Sequence, residues 1–124
     1  MKATELRIGN HVYNNYEKFI TIRGLISNEC FSDISGYSYE EIEPIPLTEE
    51  WLLKFGWIWN NECNSYEKYP NGDARMNLSY RSINNSYTMF NYVLKAIIAE
   101  RIWYVHQLQN LYFALTSQEL TINN

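Results

Sequence analysis

Apolar and polar residues alternate over several short stretches of the chain, which is the pattern of half-buried β-strands. The stretch at 19–25 follows an asparagine-rich turn, so residues 5–26 are predicted to form a hairpin. Two further strands are predicted at 29–32 and 37–42, and the prolines that follow end the second of them.

The middle of the chain predicts one short helix followed by an antiparallel meander. Thr48 is in the N-cap position of a helix over 49–55, and Gly56 can end that helix in a left-handed conformation. Residues 57–94 then alternate as strands, with a hairpin turn predicted at 70–73.

Residues 97–103 fit either a last strand or the start of a helix, and the strand is favoured. The clearest element is a C-terminal helix over 104–116. Its apolar stripe is Val105, Leu108, Leu111, Tyr112 and Leu115, and its opposite face is His106, Gln107, Asn110 and Ala114. The predicted fold is α+β in a single domain over residues 1–124. It has a twisted antiparallel sheet or partly open small barrel, with a short middle helix and a C-terminal amphipathic helix packed on it.

The composition indicates one folded domain rather than a disordered chain. The 124 residues are 46% apolar, which is enough for one hydrophobic core. No apolar run reaches the roughly 18 residues of a membrane span, and two cysteines are too few for a disulfide scaffold. We therefore expect a cytoplasmic protein with reduced thiols and no membrane partner. Its 16% aromatic content supplies anchors for a binding partner.

The sequence has no residue pattern typical of a catalytic or metal site. Its candidate metal ligands are separated by more than zinc motifs allow; they are His11, Cys30, Cys63 and His106. No basic residue flanks either cysteine, and the glycines are isolated, so neither an activated thiol nor a phosphate loop is indicated. We expect a protein that is not an enzyme and that has no cofactor or metal.

Charge is unevenly distributed along the chain. The net charge of −4 disfavours non-specific nucleic-acid binding, and no lysine or arginine occurs between Arg23 and Lys54. The acidic side chains Glu40, Glu41 and Glu43 are candidates for contact with a basic nucleic-acid channel on another protein, because complementary charge speeds such an encounter. The alternative interpretation is a solvated acidic edge that only aids solubility.

A second candidate surface is the outer face of the strand predicted at 75–81. Arg75 and Arg81 share that face, and Tyr87 and Tyr92 follow soon after in the sequence. Arginines interleaved with aromatic rings can bind single-stranded nucleic acid by charge and stacking. The alternative interpretation is an ordinary solvated face with two arginines.

Three segments of the chain resemble a family of small uncharacterised proteins from Bacteroidetes-type bacteria, their phages, prophages and mobile elements. The segments are 6–10 (Leu-Arg-Ile-Gly-Asn), 45–56 (Ile-Pro-Leu-Thr-Glu-Glu-Trp-Leu-Leu-Lys-Phe-Gly) and 104–116 (Tyr-Val-His-Gln-Leu-Gln-Asn-Leu-Tyr-Phe-Ala-Leu-Thr). The resemblance implies a phage setting, where small accessory proteins often bind host defences. Anti-CRISPR proteins are one such group. The family has no assigned activity, so no functional residue is carried over.

The predicted function is therefore a non-enzymatic accessory protein of a phage or mobile element that binds and inhibits a bacterial defence protein. An RNA-guided CRISPR effector nuclease, as a ribonucleoprotein, is the candidate partner. The alternative is a small nucleic-acid- or nucleotide-binding module that uses the basic-aromatic strand face, although the net charge does not favour direct nucleic-acid binding. A small hydrolase without recognisable motifs is a third hypothesis.

Overall fold

The computed structural model describes residues 1–70 and 75–123, which form an α+β fold with open antiparallel sheets. The chain divides into two compact units. Unit 1 consists of Met1–Pro46 and Tyr104–Glu119, and unit 2 consists of Leu47–Trp103 and the C-terminal residues from Leu120. The predicted α+β class is confirmed, with three separate sheets in the described residues. The single domain over 1–124 stays a prediction.

Unit 1 contains a two-stranded and a three-stranded antiparallel sheet. Strands β1 (His11–Tyr13) and β2 (Phe19–Thr21) form the predicted hairpin. Strands β3 (Gly24–Leu25), β4 (Glu29–Phe31) and β5 (Gly36–Ser38) form the second sheet. One buried hydrophobic cluster of this unit consists of Leu6, Val12, Ile22, Cys30 and Ile42.

The strand predicted at 37–42 ends early, and this part of the prediction is wrong. The chain turns into a 3₁₀ helix at Tyr39–Glu41. The Glu41 carboxylate accepts a hydrogen bond from the Ser38 backbone N–H at 2.9 Å. Such a contact caps a helical turn and withdraws the N–H from any sheet ladder, so Glu40 and Glu41 lie on a turn rather than on opposite strand faces.

The C-terminal helix of unit 1, α2 (Val105–Thr116), is confirmed, but its buried face differs from the predicted stripe. His106 and Gln109 are buried, Leu111 is half-buried, and Leu115 is 46% exposed. The polar Gln109 can be buried because its carboxamide bonds to backbone groups at and just before the start of β1. It donates to the Gly9 carbonyl at 3.0 Å and accepts from the His11 N–H at 2.9 Å.

Acidification is expected to destabilise unit 1, because it holds both histidines of the chain, of which His106 is buried and His11 is half-buried. Burial lowers the pKa of His106, and burial together with the Arg23 charge lowers the pKa of His11. Glu5 and Glu119 act in the opposite direction on His106 and His11, with a smaller effect. The folded state therefore binds fewer protons than the unfolded state, whose histidines titrate near 6.5.

The contribution of the two histidines to the free energy of unfolding should thus be fully present above the unfolded pKa of 6.5. It should be lost as the pH falls through their lowered pKa values in the folded state. Melting curves between about pH 7 and pH 5 would measure this, before most carboxylates protonate. The variant His106→Phe keeps a ring against Tyr104 and cannot titrate, so its melting temperature should fall less. If the melting temperature of this variant fell with pH as much as that of the wild type, His106 would be excluded as a cause of the acid destabilisation.

Unit 2 begins with a capped helix, α1 (Glu49–Lys54), as predicted. The Thr48 hydroxyl accepts a hydrogen bond from the Trp51 N–H, and Gly56 follows the helix with a φ of +85°. Burial raises the pKa of Tyr66, and the neighbouring Glu49 carboxylate raises it further. The Glu49 carboxylate at the start of α1 therefore lies near the sheet that follows the helix.

That sheet has five antiparallel strands in the order β10-β9-β8-β7-β6, which confirms the meander and the favoured strand at 97–103. The turn predicted at 70–73 falls mostly on residues outside the described part of the chain. The strands are β6 (Ile58–Asn60), β7 (Ser65–Lys68), β8 (Met76–Arg81), β9 (Ser86–Asn91) and β10 (Ala96–Ile102).

The two faces of this sheet differ in polarity rather than in burial, because the polar residues Asn77, Ser86 and Thr88 on the second face are also buried. Leu78 pairs with Met89, and both are fully buried on the core face. Tyr80 pairs with Tyr87 on the same face, with ring centroids 5.3 Å apart. The opposite face carries the alternate residues of each strand, including Arg75 and Arg81.

Candidate functional site

The outer face of the unit 2 sheet contains a shallow groove of about 330 Å³, here called the basic-aromatic groove. It combines two cationic side chains, two aromatic rings, one hydroxyl and one aliphatic side chain. Its lining residues are Ser79, Arg81, Phe90, Tyr92, Lys95 and Ile97. A groove with this mixture can hold a ligand that is partly apolar and partly anionic.

Strand register explains why these residues meet. Phe90 lies directly opposite Ile97 on β10 and opposite Asn77 on β8, and directly paired residues share one face of a sheet. Tyr92 and Lys95 belong to the tight turn that joins β9 to β10. The turn is closed by the Asn91 side chain, whose oxygen accepts from the Leu94 N–H at 2.9 Å.

The two groove cations are electrostatically uncompensated. Arg81 donates from Nε to the Thr88 hydroxyl at 3.4 Å, which is a neutral partner. No ion pair within residues 1–70 and 75–123 involves Arg81 or Lys95. Both positive charges are therefore free to attract an anionic group on a ligand.

Arg75 differs from Arg81, although both lie on this face of the sheet. Its guanidinium lies 3.4 Å from the Glu67 carboxylate and 5.0 Å from the centroid of the Tyr92 ring. These contacts neutralise the charge and fix one wall of the groove through Tyr92. Arg75 thus positions the groove rather than presenting a free cation.

The β9–β10 turn also exposes aliphatic side chains beside the groove, and we call Val93 and Leu94 the apolar tip. Val93 is 72% exposed and Leu94 is 75% exposed. Ile97 and Ile98 on the following edge strand are exposed as well. Large aliphatic side chains that cluster on a surface mark a site where another apolar surface is buried.

The acidic character of the chain resides in unit 1. By sequence, this unit has eight acidic and four basic residues, whereas unit 2 has six of each. Of the three glutamates predicted as a contact surface, Glu41 caps the 3₁₀ helix and Glu40 is exposed beside it. Glu43 lies apart from them, in a groove of about 350 Å³ lined by Tyr13, Glu17, Glu43, Pro44 and Pro46. We call this the acidic groove.

The structure brings together part of the predicted basic-aromatic site. Arg75, Arg81 and Tyr92 share one face as expected, but Tyr87 is only 5% exposed and lies on the core face. The reason is its register opposite Tyr80, an odd number of residues from Thr88 and Phe90 on the groove face. Sequence reasoning missed Phe90, Lys95 and Ile97, although strict alternation along β9 would have identified Phe90.

The two cysteines differ in their surroundings, since Cys30 is buried and Cys63 is half-buried. Burial raises the pKa of the Cys30 thiol, which disfavours the reactive thiolate. Cys63 lies 3.0 Å from the Ser65 hydroxyl, and Asn77 donates to the same hydroxyl at 3.1 Å. Within the described residues, no three His, Cys, Asp or Glu side chains are grouped so as to hold a metal ion.

No helix in the described ranges combines the length and apolar character that crossing a membrane requires. Comparison of the chain with protein-family models, with curated proteins and with solved structures found no match.

Proposed function

We propose that this chain is a non-enzymatic accessory protein that binds a bacterial defence protein and inhibits it. The basic-aromatic groove and the apolar tip are the proposed contact surface. The observation that carries this proposal is the exposure of Val93 and Leu94 next to two unpaired cations.

A protein partner accounts for this surface better than a nucleic acid does. Exposed aliphatic side chains gain free energy when another apolar surface covers them, whereas phosphates and sugars offer little such surface. Arginine and aromatic residues are also enriched at protein interfaces. The groove supplies Arg81, Phe90 and Tyr92, and the tip supplies the aliphatic component.

The resemblance to small phage proteins supports a defence protein as the partner. An RNA-guided CRISPR effector is the foremost candidate, because its basic nucleic-acid channel would also attract the acidic unit 1. A small inhibitor of this kind needs only a rigid surface, and unit 2 presents its surface on a five-stranded sheet.

Substitution of Leu94 by Asp is expected to weaken partner binding at least tenfold, because it places a carboxylate at the centre of the buried contact. The matched control is Ile83→Asp, since Ile83 is 94% exposed in a different turn of the same unit. Tagged wild type and both variants would be used to capture partners from host extract, with mass spectrometry of protein and RNA. The affinity of the recovered defence protein would then be measured by calorimetry.

We expect the wild type and Ile83→Asp to retain a defence protein and Leu94→Asp to lose it. Recovery of no defence protein, or equal binding by all three forms, would contradict the proposal.

A nucleotide- or nucleic-acid-binding module is the second candidate, favoured by the two unpaired cations beside two aromatic rings. In that case the purified chain alone would retard labelled single-stranded RNA in a gel-shift assay, with no partner protein present. Arg81→Gln with Lys95→Gln would abolish the shift, whereas Leu94→Asp would have a smaller effect because it leaves both cations in place.

A further inference from the structure

We infer that unit 1 carries a second binding site, in which the acidic groove holds an extended peptide with arginine or lysine between prolines. This inference is independent of the proposed contact surface, because the groove belongs to the other unit and has the opposite charge. It rests on the rigidity of both walls, on the unpaired carboxylates and on the aromatic lining.

The first wall of the acidic groove is the extended segment from Glu43 to Pro46. Glu43 exchanges two backbone hydrogen bonds with Tyr13, both at 2.9 Å. Ile45 is fully buried, and its carbonyl accepts from the Val105 N–H at 2.9 Å. The prolines on either side of Ile45 restrict the backbone further. A wall fixed in this way loses little conformational entropy when a ligand binds.

The second wall is the loop between β1 and β2, which is built around Asn14. The Asn14 side-chain oxygen accepts from the N–H groups of Tyr16 and Lys18, at 2.9 and 3.0 Å. These contacts hold Glu17 at a φ of +58°, where a glycine would be less strained. A glycine, however, could not supply a carboxylate to the lining of the groove.

The charge of the groove selects a cation. No ion pair in the described parts of the chain involves Glu17 or Glu43, and Lys18 pairs with neither of them. The excess of acidic over basic residues in unit 1 reinforces this local negative potential. An arginine or lysine side chain of a partner would therefore gain from entering between the two carboxylates.

The apolar part of the lining selects the backbone that carries this cation. Tyr13 is the direct cross-strand partner of Glu43, so its ring lies beside that carboxylate on the same face. Grooves lined by aromatic and proline rings accept proline-rich segments, which are already extended before they bind. A peptide with a cationic side chain between prolines therefore matches both the carboxylates and the ring-lined part of the groove.

The test uses the full chain and three short fluorescein-labelled peptides, with binding followed by fluorescence anisotropy. The first peptide repeats Pro-Pro-Arg-Pro, the second has glutamate in place of arginine, and the third has glycine in place of proline. The protein variant is Glu17→Gln with Glu43→Gln, and the matched control is Glu40→Gln, an exposed carboxylate outside the groove.

The arginine-proline peptide should bind saturably, and the double variant should bind it roughly fivefold more weakly than the control does. The glycine peptide should bind more weakly because it must be ordered first. The glutamate peptide should not bind. Absence of saturable binding up to about 1 mM arginine-proline peptide, equal binding of the glutamate peptide, or equal affinities of the double variant and the control would each overturn the inference.

Discussion

Replacement of Leu108 by Asp is expected to unfold unit 1. Leu108 is fully buried near the start of α2, where a carboxylate would be withdrawn from water. Such a burial costs about 4 kcal/mol or more, which approaches the whole stability of a small domain, about 5–15 kcal/mol. Thermal melting followed by circular dichroism should lose its cooperative transition. The amide signals of unit 1 in an NMR spectrum should lose their dispersion.

The matched control lies on the same helix. Leu115 is apolar and belongs to the predicted stripe, yet it is 46% exposed, so Leu115→Asp should change the stability by less than about 1 kcal/mol. Leu111 is half-buried and should give an intermediate loss. Normal melting of Leu108→Asp would show that α2 does not bury the face described above.

Replacement of Gln109 by Leu is expected to cost about 2 kcal/mol, because two partly buried backbone groups lose their partners. The Gly9 carbonyl and the His11 N–H both bond to the Gln109 carboxamide, and leucine offers neither a donor nor an acceptor. Leucine has a similar volume and better helix propensity, so loss of packing would not explain the result. Chemical denaturation at neutral pH measures the change.

Asn15→Leu is a suitable control for that experiment, since it makes the same change from amide to leucine in an exposed loop of unit 1. It should leave the free energy of unfolding within about 0.5 kcal/mol of the wild type. A Gln109→Leu protein as stable as this control would mean that the strand backbone finds other partners, and the account of α2 docking would be wrong.

The elements with local determinants were predictable from sequence. The cap at Thr48, the end at Gly56 and the alternation along β8 each depend on residues within a few positions of one another. The same holds for the hairpin at β1 and β2. What sequence could not predict was the buried face of α2, because Gln109 is polar and its partners are about a hundred residues away.

In the candidate sites, too, the features with local determinants were predictable and those that depend on distant residues were not. Alternation placed Arg75 and Arg81 on one face, but the ion pair of Arg75 with Glu67 depends on the pairing of β7 with β8. Tyr87 seemed to belong to the site because it is aromatic and close in sequence, yet its position opposite Tyr80 turns it to the core. Glu17 was missed, since its place in the acidic groove depends on a loop shaped by Asn14.

The two ends of the segment Leu47–Trp103, which forms most of unit 2, lie side by side. The Leu47 N–H bonds to the Trp103 carbonyl at 2.8 Å, and the adjacent residues Pro46 and Tyr104 are bridged within unit 1. A segment with joined ends can be exchanged or enlarged as a cassette while unit 1 keeps its path, if the C-terminal residues from Leu120 change with it. Related chains could thus diversify the surface carried by the cassette and still conserve the scaffold that closes with α2.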